Sequence, residues 1–363
     1  MKIVLLYGGQ SAEHEISIIS AFNVARGISY DLHQVQPIYI TKDGQWLQGP
    51  LLTQPLTDSN QLALSQEEVE ADPTEAAPLK GQLISPASLV AEGTDNLVVF
   101  PVLHGPNGED GTIQGFLEVL DLPYVGAGVT ASATGMDKII SKQLFDQAGL
   151  PQVPYFAFTS RDWSDDQEKL IQQIEGSLLY PLFVKPANMG SSVGISRVDS
   201  SEELVAAVDL ALRYDRRIVV EQGISAQECE VAVLGNEDIH VSYVGKLVKS
   251  SDFYDYEEKY VNNDVQMEIP AELDPAVADK IQEYAIKAYR AIDGCGLSRA
   301  DFFVTNNNDI YINEINTMPG FTPYSMYPVL WERTGISQKD LIEELIQLAL
   351  RRHERKQALK VEG

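Results

Sequence analysis

The segment Leu297-Ser-Arg-Ala-Asp-Phe-Phe-Val-Thr-Asn-Asn-Asn-Asp-Ile-Tyr-Ile-Asn-Glu-Ile-Asn316 sets two apolar, strand-forming runs on either side of an Asn/Asp cluster. That pattern predicts a β-hairpin. A turn centred near Asn307–Asn308 places Asp301 opposite Glu314 and Arg299 opposite Asn316. Side chains two apart share a face of a strand, so one face presents Arg299, Asp301, Glu314 and Asn316 together. The other face carries Phe302, Tyr311 or Ile315 for a core. Two carboxylates and an amide are hard oxygen donors of the kind magnesium prefers, with its other positions left to water and phosphate oxygens. A bound cation also lets the carboxylates lie side by side without the repulsion that raises a pKa. The competing reading is a solvated hairpin face with a cross-strand ion pair. The five histidines, His14, His33, His104, His240 and His353, show no metal-ligand spacing.

A second segment, Pro181-Leu-Phe-Val-Lys-Pro-Ala-Asn-Met-Gly-Ser-Ser-Val-Gly194, is a strand ending near Lys185 followed by a glycine turn with two hydroxyls. Glycines let backbone N–H groups approach phosphate oxygens, and the lysine adds charge. No Gly-Lys-Ser/Thr follows, so it is not a P-loop. Gly190-Ser-Ser-Val-Gly194 also matches the nucleophile elbow of serine hydrolases, which needs strand, sharp turn and helix. Here Ile195–Val198 predicts another strand, which disfavours the hydrolase. Phe253, Tyr254, Tyr256 and Tyr260 alternate with charges in a polar stretch at 245–263. Such a loop suits a lid that excludes water, or else docks on its own domain. Gly8-Gly-Gln-Ser-Ala-Glu13 and His104-Gly-Pro-Asn-Gly-Glu-Asp-Gly111 each end a strand, where parallel sheets place ligands.

These pieces need elements to hold them. Lys2–Tyr7, Val35–Ile40 and Leu97–Leu103 read as strands separated by a helix at Glu15–Ile28, with another at Thr112–Leu120 after the last, so a parallel sheet covered on both faces is expected. The Pro-punctuated stretch 51–94 is too long for a bare loop and should carry short elements. A smaller α+β unit follows, with a helix at Asp137–Ala148, strands at Tyr155–Thr159, Leu182–Pro186 and Ile195–Val198, and helices from Ser164 and at Glu202–Tyr214. A third unit has strands at Glu230–Leu234 and His240–Val244, the helix Pro275–Ile292, the hairpin and a C-terminal helix from Gln338.

The chain has 363 residues, consistent with two or three domains. Its net charge of −26 disfavours nucleic acid and anionic membrane as partners, since both want a basic surface. A local cationic pocket is still open to Lys138, Lys142, Lys185, Lys249, Lys259 and Arg299, all from mid-chain. Cys229 and Cys295 are the only cysteines, so no disulfide framework exists, and both read as buried spectators. No apolar run approaches the ~20 residues of a membrane span, and a reducing cytoplasm is expected.

Taken together the segments resemble the D-alanine–D-alanine ligases of the ATP-grasp superfamily. The matching stretches are Gly8–Ser17, His104–Gly115, Met136-Asp-Lys138, Val184 through Gly194, Phe253–Tyr260, Arg299-Ala-Asp301 and Glu314–Gly320, in order along nearly the whole chain. The resemblance implies an α/β and α+β multidomain fold: a Rossmann-like parallel sheet over 1–126, then a two-part ATP-grasp fold over 127–221 and 222–363. It implies that Lys138, Lys185 and Lys259 hold nucleotide phosphates. Glu221, Ile224 and Glu228 would serve adenine and ribose, walled by Phe183 and Phe253. Asp301, Glu314 and Asn316 would hold two Mg²⁺ ions, for which Mn²⁺ can substitute. Glu13, Ser191 and Tyr260 would lock the lid over a first D-alanine near His104. Arg299 and the Gly320 N–H would stabilise the oxyanion, and Ser325 with the Met326 backbone would take the second carboxylate.

The implied activity is ATP-dependent joining of two D-alanines through an acyl phosphate, for peptidoglycan precursors in the bacterial cytoplasm, by a homodimer. Relatives that make the D-alanyl-D-lactate ester tend to lack the lid tyrosine, so Tyr260 favours the peptide. Three departures from the family pattern stand out: His14 for an arginine, Tyr324-Ser325-Met326 for His-Ser-Leu, and Gly223 where an aromatic is common.

Overall fold

A computed structural model describes residues 1–67, 76–90, 96–248 and 266–360. Its first sheet is built on β1 (Lys2–Gly8), whose apolar run is buried on both faces. β1 pairs in parallel with β2 (Gln34–Ile40) and β5 (Leu97–Val102). The helix α1 (His14–Gly27) follows β1, and α2 (Thr112–Val119) follows β5. The sheet is mixed rather than wholly parallel, because β3 (Trp46–Gln48) and β4 (Gln82–Ile84) add antiparallel strands at the β2 edge. β4 comes from the 51–94 stretch, together with short 3₁₀ turns at Ser59–Leu62 and Pro86–Val90.

The second sheet runs β6 (Tyr155–Thr159), β9 (Arg217–Gln222), β7 (Leu182–Pro186), β8 (Ser196–Val198), all antiparallel. α3 (Val129–Met136) and α4 (Lys138–Gln147) precede it. The helix expected from Ser164 is two pieces, α5 (Ser160–Asp165) and α6 (Gln167–Ser177), because Asp166 leaves helical dihedrals and caps the second. α7 (Ser201–Ala211) covers the sheet with α6. β9 escapes a pattern reading: Ile218-Val-Val is a short apolar run between charged residues, yet tertiary context makes it a central strand.

The third sheet runs β13 (Gln266–Glu268), β12 (Gly245–Val248), β10 (Ala226–Leu234), β14 (Leu297–Thr305), β15 (Ile310–Asn316), with β11 (His240–Val241) paired to β10. Gly245–Val248, expected to open the lid loop, is therefore strand, whereas Ser242–Val244 leaves the strand expected there. The helix α8 (Pro275–Ala291) packs on the core face of this sheet. α9 (Met326–Thr334) and α10 (Gln338–Gln357) close the chain.

The hairpin register holds at the chemical end, with Arg299 opposite Asn316 and Asp301 opposite Glu314. It shifts by one toward the turn, where Phe302 meets Ile312 and Phe303 meets Tyr311. Asn313 is the extra residue, a bulge that lets Ile312 and Glu314 point to opposite faces. Consequently Tyr311 leaves the core face expected for it, and Ile312 joins Phe302 and Ile315 there, all within 2% of full burial.

Candidate active site

A cavity of about 520 Å³ opens between the three sheets. Its wall includes Glu13, His104, Lys138, Phe183, Lys185, Ser191, Glu221, Ile224, Glu228, Arg299, Glu314, Asn316 and Gly320. Asp301 lies immediately behind Arg299, while Ser325 and Met326 stand at the N-terminus of α9 beyond Gly320. Phe253, Lys259 and Tyr260 lie outside the described residues.

The glycine turn is fastened to α4. Asp137 caps that helix, accepting from the Ile139 and Ile140 N–H groups, and its other oxygen takes Arg217. The Asn188 N–H and side chain bind Asp215, and its amide also reaches Asp137. Lys138, the first residue of α4, donates to the Met189 carbonyl at 2.8 Å and comes within 3.5 Å of Glu314. Ser191 and Ser192 adopt positive φ, which turns the Ser191 hydroxyl onto the Glu13 carboxylate. The turn runs on into β8 rather than a helix, and none of the histidine hydrogen bonds among the described residues involves Ser192. The nucleophile-elbow reading therefore has neither its helix nor its base.

Below the turn, Glu221 divides its oxygens between two lysines, Lys142 at 3.0 Å and Lys185 at 2.7 Å. Burial pushes the Glu221 carboxyl upward, but the two ammonium groups outweigh it and hold it down to about 2. Burial lowers Lys142, whereas for Lys185 the attraction of Glu221 overcomes burial and raises it. Gly223 has no room for an aromatic: a Cβ there would sit 2.9 Å from the Pro181 carbonyl and 3.0 Å from the Phe183 ring.

On the hairpin, Arg299 grips Asp301 through Nε at 2.7 Å and Nη2 at 2.6 Å, and also reaches Glu230 at 2.8 Å. Asn316 donates to Asp301 at 3.0 Å. Burial disfavours the Arg299 charge, yet Asp301 and Glu230 raise its pKa further above its already high value. Asp301, Glu314 and Asn316 thus form one patch of hard oxygen donors, a chemistry that fits magnesium. Among the described residues no three His, Cys, Asp or Glu side chains converge as a ready-made metal cage. Water and phosphate oxygens would have to complete the coordination of any ion held there.

The first-sheet loops close the cavity. Gly105 passes so near the Glu13 carboxylate that a Cβ would come within 2.8 Å of it, and its N–H donates to Glu109 at 2.7 Å. Burial and the nearby Glu13 push Glu109 up to about 8. His104 is buried and, through that burial, lowered; its Nδ1–H donates to the Met318 carbonyl, and Nε2 accepts from Ser20. His104 therefore braces the His104 loop against the segment leading to Gly320. His14 braces the Gly9 carbonyl and the Tyr39 hydroxyl in a similar way. Ser325 receives the Thr322 N–H at 3.0 Å, and its hydroxyl bonds that of Thr322. Glu109, Asp137 and Arg217 were not legible as site residues, because a single charged residue in a loop, at a helix cap or at a strand end carries no pattern of its own; Lys142 stood out only as one of the mid-chain cations open to a pocket.

Comparison with known proteins agrees along the chain. The family model described as D-ala D-ala ligase N-terminus matches residues 2–127, and that described as D-ala D-ala ligase C-terminus matches 144–347. The D-alanine–D-alanine ligase of Enterococcus hirae is 55% identical over 359 residues, 98% of each chain. That of Listeria monocytogenes is 50% identical over 363 residues, covering 99% of this chain and 98% of its own. Among solved structures, the D-alanine–D-alanine ligase of Coxiella burnetii superposes with a TM-score of 0.79 at 35% identity, over 98% of this chain and 96% of its own. The VanG D-Ala:D-Ser ligase of Enterococcus faecalis gives 0.78 at 33%, over 96% and 99%. With both halves matched and the cavity lined by residues from all three sheets, the chain belongs to the D-alanine–D-alanine ligase family and has its ATP-grasp fold.

Proposed function

We propose that this chain joins two D-alanines into D-alanyl-D-alanine at the expense of ATP, as a step toward peptidoglycan. The observation that carries this reading is the meeting, in one cavity, of the cationic Lys138 and Lys185 with the acidic hairpin patch and the Ser191–Glu13 pair. In this reading the units are 1–126, 127–221 and 222–363, working as a homodimer in the cytoplasm. No helix among the described residues is long and apolar enough to cross a membrane.

Lys138 and Lys185, with Lys259, neutralise the nucleotide phosphates. Glu228, Ile224 and Phe183 line the region assigned to ribose and adenine, with Phe253 completing the wall. Glu221 serves this region while anchored by its two lysines. Glu13 receives the first D-alanine's ammonium and, through Ser191 and Tyr260, ties the lid to it. A carboxylate oxygen of that substrate attacks the γ-phosphorus and ADP leaves, giving the acyl phosphate. The second D-alanine, held through its carboxylate by Ser325 and the Met326 backbone, gives one ammonium proton to solvent and attacks the acyl carbon as the free amine; phosphate then departs and takes the second nitrogen proton as the amide forms. Arg299 and the Gly320 N–H face the developing oxyanion, a role in which one donor is typically worth about 10²–10³ in rate. Asp301, Glu314 and Asn316 would hold two Mg²⁺ ions, replaceable by Mn²⁺. Bound there, the metal supplies charge neutralisation for phosphoryl transfer.

Phosphate release with ATP and magnesium tests the reading, with D-alanine, L-alanine, D-alanine plus D-lactate, and D-alanine plus D-serine compared from pH 6 to 9. D-alanine alone should support turnover and yield the dipeptide, and L-alanine should not. Dominance of the ester at neutral pH, or of the D-serine product, would transfer the chain to another second substrate.

A further inference from the structure

Among the described residues, Lys142 has the most completely buried ammonium group around the cavity, with its side chain 1% exposed, and it is not part of the cavity wall. It lies one helical turn beyond Lys138 on α4, with Nζ 5.3 Å from the centroid of the Tyr155 ring and 3.0 Å from Glu221 Oε1. Glu221 is itself buried, and its second oxygen is already taken by Lys185, which does reach the cavity. One carboxylate therefore stands between two ammonium groups, one facing inward and one facing the cavity.

Glu221 and Lys185 alone would form a neutral, hydrogen-bonded pair. Burying a further ammonium carries a large solvation cost, and apolar residues often replace such groups without loss of stability. Fold stability thus accounts for some partner to Glu221 Oε1, but not for a second charge. Its electrostatic consequence is different: with Lys142 present the triad carries one net positive charge, and without it none. We infer that Lys142 is a positioning residue that neutralises Glu221 from behind, leaving the charge of Lys185 available to a nucleotide phosphate. This rests on the proposed role of Lys185 in phosphate binding.

The test measures equilibrium binding of adenosine, ADP and ATP, with magnesium, to the full-length chain. Lys142→Met should lower ATP affinity about 10- to 100-fold, lower ADP affinity less, and leave adenosine within about threefold of the parent. Lys142→Arg should recover most of the loss. The double variant Lys142→Met/Glu221→Gln returns the triad to one net charge, so its ratio of ATP to adenosine affinity should return toward the parent value. Equal losses for adenosine and ATP in Lys142→Met would mean that the lysine only shapes the pocket, and unchanged ATP binding would also overturn the inference. If Lys142→Met does not fold, the double variant decides, since it removes the buried carboxylate whose Oε1 would otherwise lose its partner. A tenfold drop in its ATP-to-adenosine ratio refutes the charge account. Lys185→Met, measured alongside, separates the two levels. ATP affinity that survives there removes the phosphate role of Lys185 itself, whereas a loss there with none at Lys142 overturns only the present inference.

Discussion

Glu109 is a carboxyl kept protonated at neutral pH by burial and by the neighbouring Glu13. Its pKa rises from an ordinary 4.5 to about 8 in the folded chain. The unfolded chain therefore releases this proton first, and stability falls as pH climbs from 4.5 toward 8. Glu109→Gln keeps an acceptor for the Gly105 N–H but has no proton to lose. Its advantage over the parent in urea unfolding should be absent at pH 4 and widen up to pH 8; a constant difference across that range would contradict the assignment. Asp301 makes the other residue-scale prediction. Asp301→Asn retains the size of a side chain that binds Arg299 and Asn316, but loses the charge offered to a metal. Phosphate release should drop by about 10²-fold or more while adenosine still binds. Of these two residues only Asp301 was legible beforehand as a candidate ligand. A hairpin pattern points to it, whereas the state of Glu109 depends on which distant carboxylates burial brings near.

Two elements lead into the cavity wall, and both depend on their ends. α4 begins at Lys138 because Asp137 caps it while pairing with Arg217. Asp137→Ala should cost about 2 kcal/mol or more, a lost cap plus a half-buried guanidinium left without its carboxylate. It should also raise the KM for ATP several-fold, because the same residue helps anchor the glycine turn through Asn188; thermal melts and steady-state kinetics check both. β1 ends at Gly8 with φ +91°, where a Cβ would meet the Ile40 carbonyl oxygen at 2.1 Å. Gly8→Ala should destabilise by at least about 2 kcal/mol, through strain and clash together. At this scale the hairpin pairing Asp301–Glu314 was legible, because apolar alternation and an Asn/Asp turn bracket it. The bulge at Asn313 was not, since an inserted residue leaves no mark in composition. β9 was also invisible, although it carries Glu221: three apolar residues gain a strand's pairing only once β6 and β7 flank them.

Across the whole molecule, the N-terminal sheet and the C-terminal helices share one core. Ile3, Leu5, Val98 and Phe100 pack in the same cluster as Leu341, Ile342, Leu345, Ile346 and Leu348 of α10. Arg352 stacks 4.1 Å from the Tyr124 ring centroid and donates to the Gly126 carbonyl, and His33 binds Glu343. Each buried leucine or isoleucine contributes about 1.5–3 kcal/mol. Five of them match the whole net stability of a typical domain, about 5–15 kcal/mol. A chain ending after Gly335 should therefore lose its cooperative thermal transition, as followed by circular dichroism, and the isolated 1–126 segment should not fold on its own. A sharp melt from either fragment would refute the shared core.

By itself the sequence determined most of the elements, the family resemblance and the motifs that supply much of the cavity wall, because periodicity and turn chemistry act over a few residues and the motifs keep fixed spacing. It could not determine which charges meet across elements. Glu221 between Lys142 and Lys185, Arg299 between Glu230 and Asp301, and Glu109 beside Glu13 join residues that are mostly tens of residues apart in the chain. Only tertiary packing excludes the water around them, and the loss of that water sets their pairing and their protonation.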